Sequence, residues 1–106
     1  MSRYLIEGTY TAMGAKGLLA QGGTSRKAQI DGLFKELGGS MEAFYWAFGD
    51  TDFYIIGDVP DQATAAAIGL TVSGAGAVRI RTTVLLTAED IDKAKSKKVP
   101  YTVPGA

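Results

Sequence analysis

The chain is expected to fold as one α+β domain, a βαββαβ sandwich in which a four-stranded antiparallel sheet carries its helices on one face. Three observations predict it. Residues alternate with period two at Tyr4–Tyr10 and Val78–Leu86, Ile30, Leu33, Phe34 and Leu37 recur at helical spacing, and glycine, proline or aspartate stands at the junctions. A length of 106 residues suits one hydrophobic core, since two would leave each half too small to bury its apolar surface.

Strand one is the run from Arg3 to Tyr10, with Tyr4, Ile6, Gly8 and Tyr10 on one side and Leu5, Glu7 and Thr9 on the other. A short helix around Met13–Gln21 is weakened by Gly14 and Gly17 and ends at the breaker pair Gly22-Gly23. Thr24 is then expected to cap a firmer helix, which Gly38-Gly39 closes. Met41–Phe48 and Phe53–Val59 read as a hairpin around the turn residues Gly49-Asp50-Thr51-Asp52. Pro60 and Asp61 open an alanine-rich helix from Gln62 to about Ser73, with Ala63, Ala67 and Leu70 at helical spacing. Val78–Leu86 is strand four, and Thr87 suits the cap of a last short helix with Glu89 and Asp90 in its first turn and Lys93, Lys95, Lys97 and Lys98 toward its end. The domain is expected over residues 1–95, followed by an extended tail over 96–106.

Placing Tyr4/Ile6, Phe53/Ile55 and Val78/Ile80 beneath the helices sends Leu5, Tyr54, Ile56 and Leu85 to the other face with Glu7, Asp58, Arg79 and Arg81. The phase of strand two is open, because Tyr45 and Trp46 put a ring on each side, and Phe44 and Trp46 are candidates to join that outer face. So much apolar area predicts a second subunit over it, with Glu7 and Asp58 neutralising Arg79 and Arg81. The alternative is a solvated face with scattered hydrophobic side chains.

Composition narrows the chemistry. There is no cysteine and no histidine, which excludes disulfides, a thiolate nucleophile, a Ser-His-Asp triad and the usual zinc, haem and iron–sulfur ligand sets; no cofactor or metal is expected. Eleven basic and eleven acidic residues cancel, so no net field draws the chain to nucleic acid. The sequence opens almost directly on a strand pattern and holds no long apolar run, so a cytoplasmic location without a membrane partner is the expectation.

The sequence resembles the GYD-domain family along most of its length. The resemblance is carried by Tyr4-Leu5-Ile6, Lys16-Gly17-Leu18-Leu19, Gly22-Gly23-Thr24-Ser25-Arg26, Leu37-Gly38-Gly39 and Glu42 to Gly49, then by Asp58-Val59-Pro60-Asp61, Ala63–Ala67, Ser73-Gly74, Thr82–Thr87 and Val103–Ala106. It implies a ferredoxin-like fold that pairs into a dimeric α/β barrel, and brings no settled reaction. The Gly-x-Tyr-Asp element that names the family corresponds to Gly49, Asp50, Thr51 and Asp52, with threonine in the place of tyrosine, so no role of that tyrosine carries over.

Two sets of residues are candidate ligand contacts. At Thr24, Ser25, Arg26 and Lys27, cations occupy the first turn of a helix, where they oppose its dipole; a bound phosphate or carboxylate held by backbone N–H groups, a hydroxyl and Arg26 would compensate. The competing reading is an ordinary cap whose cations face water. The second set, Glu7, Tyr10, Trp46, Tyr54, Arg79 and Arg81 with Asp58, mixes rings with directional polar groups as small-molecule pockets do. The competing reading is core packing, dimer contacts and structural ion pairs. Asp50, Asp52, Asp58 and Asp61 suit turns and a cap better than a metal site. The expected role is a small dimeric module that binds a small anionic or aromatic ligand or a partner protein. The alternatives are a cofactor-free monooxygenase- or isomerase-like enzyme, in which Glu7 or a tyrosine moves protons, and a structural subunit of a larger assembly.

Overall fold

The computed structural model describes all residues from Met1 to Ala106. Four strands, β1 (Ser2–Tyr10), β2 (Ser40–Trp46), β3 (Phe53–Val59) and β4 (Val78–Leu85), form one sheet in the order β2-β3-β1-β4 with every neighbouring pair antiparallel. Helices α1 (Ala12–Gln21) and α2 (Gly23–Glu36) connect β1 to β2, α3 (Gln62–Ala75) connects β3 to β4, and α4 (Ala88–Lys95) follows β4. This is the ferredoxin-like arrangement, and the expected strand phases hold for β1, β3 and β4. No helix is long and apolar enough to cross a membrane.

The core lies between the sheet and helices α2 and α3. Tyr4, Ile6, Phe53, Ile55, Val59 and Val78 alternate onto it from the strands, and Phe34 enters from α2. Two buried glycines make room for rings. Phe53 lies over Gly8, its partner across the β1–β3 ladder, and a Cβ added at Gly57 would meet the ring of Phe34 at 2.5 Å.

Strand β2 stops at Trp46, two residues short of the expected end, and its phase is now settled. Phe44 pairs with Ile55 and Trp46 with Phe53, so both rings turn under the helices and neither joins the outer face; Tyr45 pairs with Tyr54 and is exposed. A bulge between Met41 and Ala43 lets Met41 and Phe44 share the inner side, as a bulge resets alternation by one residue.

Thr24 does not cap α2. The helix begins at Gly23, its cap position is Gly22 at φ 84°, and no side chain bonds there. That left-handed residue turns the chain with almost no gap: the Gly22 N–H donates to the Leu18 carbonyl at 2.7 Å and the Arg26 N–H to the Gly22 carbonyl at 3.2 Å. Gly14, unfavourable for α1 on propensity, rests against the Ala77 carbonyl, where a side chain has no room. The end of α2 is as expected. The Gly39 N–H donates to Phe34 O at 2.8 Å and the Gly38 N–H to Lys35 O at 3.1 Å, with Gly38 at φ 80°, the double bond of a Schellman ending.

In α3 the spacing that marked Ala63, Ala67 and Leu70 belongs to the exposed side; Ala65, Ile68 and Val72 pack on the core instead. The helix carries no charge, so with small residues all round its hydrophobic pattern does not distinguish the two faces. Asp61 caps it, its Oδ1 accepting from the Thr64 N–H and the Thr64 hydroxyl at 2.8 Å each. Thr87 and Asp90 form a reciprocal capping box at α4, and residues 96–106 contain neither helix nor strand.

Two outcomes follow. The backbone and side-chain bonds from Thr64 hold the Asp61 carboxyl below its ordinary 3.8. Between the folded and unfolded values the unfolded chain therefore binds more protons, and stability present above about pH 4 is lost as the pH falls through the lower, folded value. Asp61→Asn keeps the acceptor but does not titrate, so its melting temperature should fall less steeply than that of the parent from about pH 5 to about pH 2.5; equal slopes would dismiss the cap as an acid-sensitive element. Gly57→Ala should lower stability by roughly 1–3 kcal/mol through overpacking against the buried Phe34 ring, read as a lower urea midpoint at unchanged m-value.

Candidate ligand-binding cleft

Between the sheet, α2 and α3 runs a narrow cleft enclosing about 40 Å³. Its floor is made by Ile6, Phe44, Phe53, Ile55, Val78 and Ile80, its walls by Ile30, Leu33 and Phe34 of α2 and by Ile68 and Val72 of α3. Tyr10 and Arg26 stand at one end, and Arg26 is the sole lining residue that is not hydrophobic. A larger space of about 130 Å³ lies outside that end, under Met13, Gly17, Leu18 and Gln21, and shares Tyr10, Arg26 and Val78 with the cleft. Cleft and vestibule thus meet at one arginine and one phenol.

Arg26 is half-buried and forms no ion pair; its Nη1 donates to Gln29 Oε1 at 2.9 Å. Gln29 Oε1 also accepts from Gln21 Nε2 at 2.9 Å, so the arginine is positioned by an amide pair and its charge is unneutralised. Tyr10 Oη accepts from the Trp46 indole N–H at 3.0 Å, which leaves the phenolic proton free to donate. Trp46 is stacked on Phe44 with ring centroids 4.2 Å apart, and Phe53 is tilted against Tyr10 at 5.3 Å. These aromatic contacts fix the Tyr10 end of the cleft.

Farther in, a second space of about 10 Å³ shares Ile6, Phe34 and Ile68 with the cleft and is bordered by Tyr4 and Thr82. Tyr4 is 7% exposed and its hydroxyl is buried without a hydrogen-bond partner, an arrangement that costs about 1–3 kcal/mol. Sequence reasoning placed Tyr4 in the core and missed this group. The available signal was a tyrosine on the apolar phase of a strand, where phenylalanine would fill the same space without a hydroxyl to satisfy.

The sheet divides the remaining candidates. Tyr10 and Trp46 lie on the helix side with Arg26, while Glu7, Tyr54, Arg79 and Arg81 lie on the opposite face. Glu7 Oε2 accepts from Arg81 Nη2 at 3.2 Å, as expected. Asp58 does not pair with Arg79. Arg3, its cross-strand neighbour, takes it at 3.1 Å and Glu42 at 3.0 Å, and Arg79 has no carboxylate partner. Glu7, Thr9, Asp50, Thr51, Arg79 and Arg81 border an open groove of about 260 Å³ on this outer side. Thr24, Ser25 and Lys27 are exposed, and Ser25 Oγ accepts from Gln21 Nε2 at 3.4 Å; of that cluster only Arg26 reaches the cleft.

The acidic residues near the hairpin have separate duties. Asp61 is a cap, Asp58 an ion-pair partner, and Asp52 Oδ2 accepts from the Tyr10 N–H at 2.8 Å while its own N–H donates to the Gly8 carbonyl at 2.8 Å. Asp52 therefore ties the β2–β3 turn to the end of β1. Gly49 supplies the left-handed backbone of that turn at φ 129°, and Thr51 borders the outer groove. The glycine and the aspartate kept from the Gly-x-Tyr-Asp element thus have structural reasons to be there.

The chain matches no curated protein and no solved structure. The family model of the GYD domain matches residues 4–94, the segment from β1 through α4 that builds both the sandwich and the cleft, and the chain belongs to the GYD-domain family.

Proposed function

We propose that the protein is a homodimeric binding module whose cleft takes a small aromatic or otherwise apolar anion. The observation that carries this reading is Arg26, a half-buried cation without a carboxylate partner at the mouth of an otherwise hydrophobic cleft. A carboxylate or phosphate would meet its forked donors, and Tyr10 adds a hydroxyl beside them. The vestibule has room for a ring, and the apolar floor would take its leading edge. The unpartnered Tyr4 hydroxyl offers a hydrogen bond to a ligand atom that reaches the inner end.

The dimer rests on the opposite face. Leu5 and Ile56 are half-buried and Tyr45 and Tyr54 exposed there, and covering them with a second copy would remove apolar area from water. The Arg3–Asp58–Glu42 and Glu7–Arg81 pairs fit such an interface, since a charge buried with its partner escapes the penalty of a lone one.

For the ligand, benzoate and phenyl phosphate at millimolar concentration should raise the melting temperature of the parent protein and shift amide resonances of β1 and α2. Arg26→Gln should weaken that response about tenfold or more. Tyr4→Phe should stabilise the empty protein by about 1 kcal/mol, because it removes a buried hydroxyl without a partner. A parent protein unmoved by every such anion would sink the binding reading. For the dimer, Ile56→Asp should sediment as a monomer with unchanged far-ultraviolet dichroism, whereas a variant that stays dimeric would place the contact elsewhere.

A further inference from the structure

The segment after β4 is built unlike the rest of the chain. From Leu86 to Ala106 every residue but Asp90 is exposed, and Asp90 is engaged in its own capping box. The side-chain hydrogen bonds of this segment, and its backbone bonds outside α4, run within it, and none of the four ion pairs reaches it. It is nevertheless apolar at intervals: Leu86, Ile91, Val99, Tyr101 and Val103 are each more than half exposed. The molecule is drawn out to 58 × 33 × 23 Å, with a radius of gyration of 17.1 Å where a compact chain of this length has about 13 Å. An arm of this composition, held off its own domain, leaves in water the side chains that a polypeptide ordinarily buries.

We infer that residues 86–106 form an arm that seats on a second copy of the chain, completing the dimer proposed above; the inference rests on that reading. The arm leaves from the end of β4, an edge strand, directly after Leu85, which belongs to the outer face. It therefore begins at the border of the surface that the second copy covers. Area gives the second reason. Four strands of 9, 7, 7 and 8 residues, about 4.8 Å apart and rising about 3.3 Å per residue, make a sheet of roughly 500 Å² in plan, and a stable specific interface takes about 800 Å² of accessible surface from each partner. An arm with five large, exposed apolar side chains would add to the apolar area that the sheet face buries. The arm is also long enough to reach across that face, since α4 spans about 12 Å and the eleven residues beyond it extend up to about 36 Å.

The absence of cysteine makes the test direct. Val103→Cys, carrying a benzophenone photocrosslinker on the new thiol, is mixed as ordinary and nitrogen-15-labelled chains, equilibrated and irradiated. Expected are mixed-isotope pairs joining the arm peptide to the β-sheet domain of the other copy. Pairs confined to one isotope would mean that the arm folds back on its own domain, and failure to cross-link at all would mean that it is solvated; either overturns the inference. In a second measurement, Tyr101→Asp with Val103→Asp should raise the dimer dissociation constant by about tenfold or more in sedimentation equilibrium, with the helix content of the domain unchanged. An unaltered constant overturns the inference as well. Ile56→Asp separates this outcome from the sheet-face reading. If it leaves a dimer that the arm variant dissociates, the sheet face fails and the arm stands, and the converse pattern rejects the arm while keeping the sheet face.

Discussion

Phe34 laid over Gly57, and Phe53 over Gly8, set how closely helices and sheet approach, and most of the molecule is arranged around that distance. Both glycines lie in the two central strands, where a side chain would lift the ring above it. With the rings seated low, α2 is held close to the sheet over β2 and β3, while the side chains of α3 that pack on the core are no larger than isoleucine. The gap left between the two helices is the apolar cleft, so the cavity is a product of the same packing that stabilises the domain.

The sheet also separates two kinds of polar chemistry. Around the cleft polar groups are few and lack partners of opposite charge: Arg26 bonded to an amide, Tyr10 accepting from an indole, the Tyr4 hydroxyl without a partner. On the outer side they are mostly reciprocal, Glu7 with Arg81 and Arg3 with Asp58 and Glu42. Under the proposed dimer, reciprocal pairs would suit the covered face, because each paired charge brings its neutralising partner. Under the proposed ligand reading, groups without partners would be the ones available to a bound molecule. Glu7, the carboxylate considered for proton transfer, lies on the face away from the cleft, which leaves Tyr4, Tyr10 and Arg26 as the groups able to meet a molecule inside it.

Legibility in the sequence followed the strength of local periodicity. β1 and β4 carry a period-two pattern and β3 is a β-rich run whose more apolar phase is Phe53 and Ile55, so their two faces could be assigned, and the spacing of Ile30, Leu33, Phe34 and Leu37 oriented α2. β2 could not be phased, because Phe44, Tyr45 and Trp46 are consecutive rings and the bulge after Met41 leaves no sequence signature. α3 was oriented by alanines that look alike on every side. At Gly22-Gly23 the usual meaning of paired glycines, an interruption, gave way to a nearly continuous joint, which moved Thr24 off the cap. In the sequence Arg26 stands out because its charge opposes a helix dipole; in the structure its distinguishing feature is its place at the mouth of a cleft formed by residues distant in sequence. The division of Tyr10 and Trp46 from Glu7, Tyr54, Arg79 and Arg81 follows from strand parity, but for Trp46 that parity had to be seen in three dimensions.

The hydrogen bond from Trp46 to Tyr10 has a practical corollary. Trp46 is the one tryptophan of the chain, and its indole is bonded to a residue that lines the cleft and stacked on another that forms its floor. Its emission therefore originates at a single, known place, so occupation of the interior can be followed optically in the unlabelled protein, with no second fluorophore of the same kind to obscure the signal.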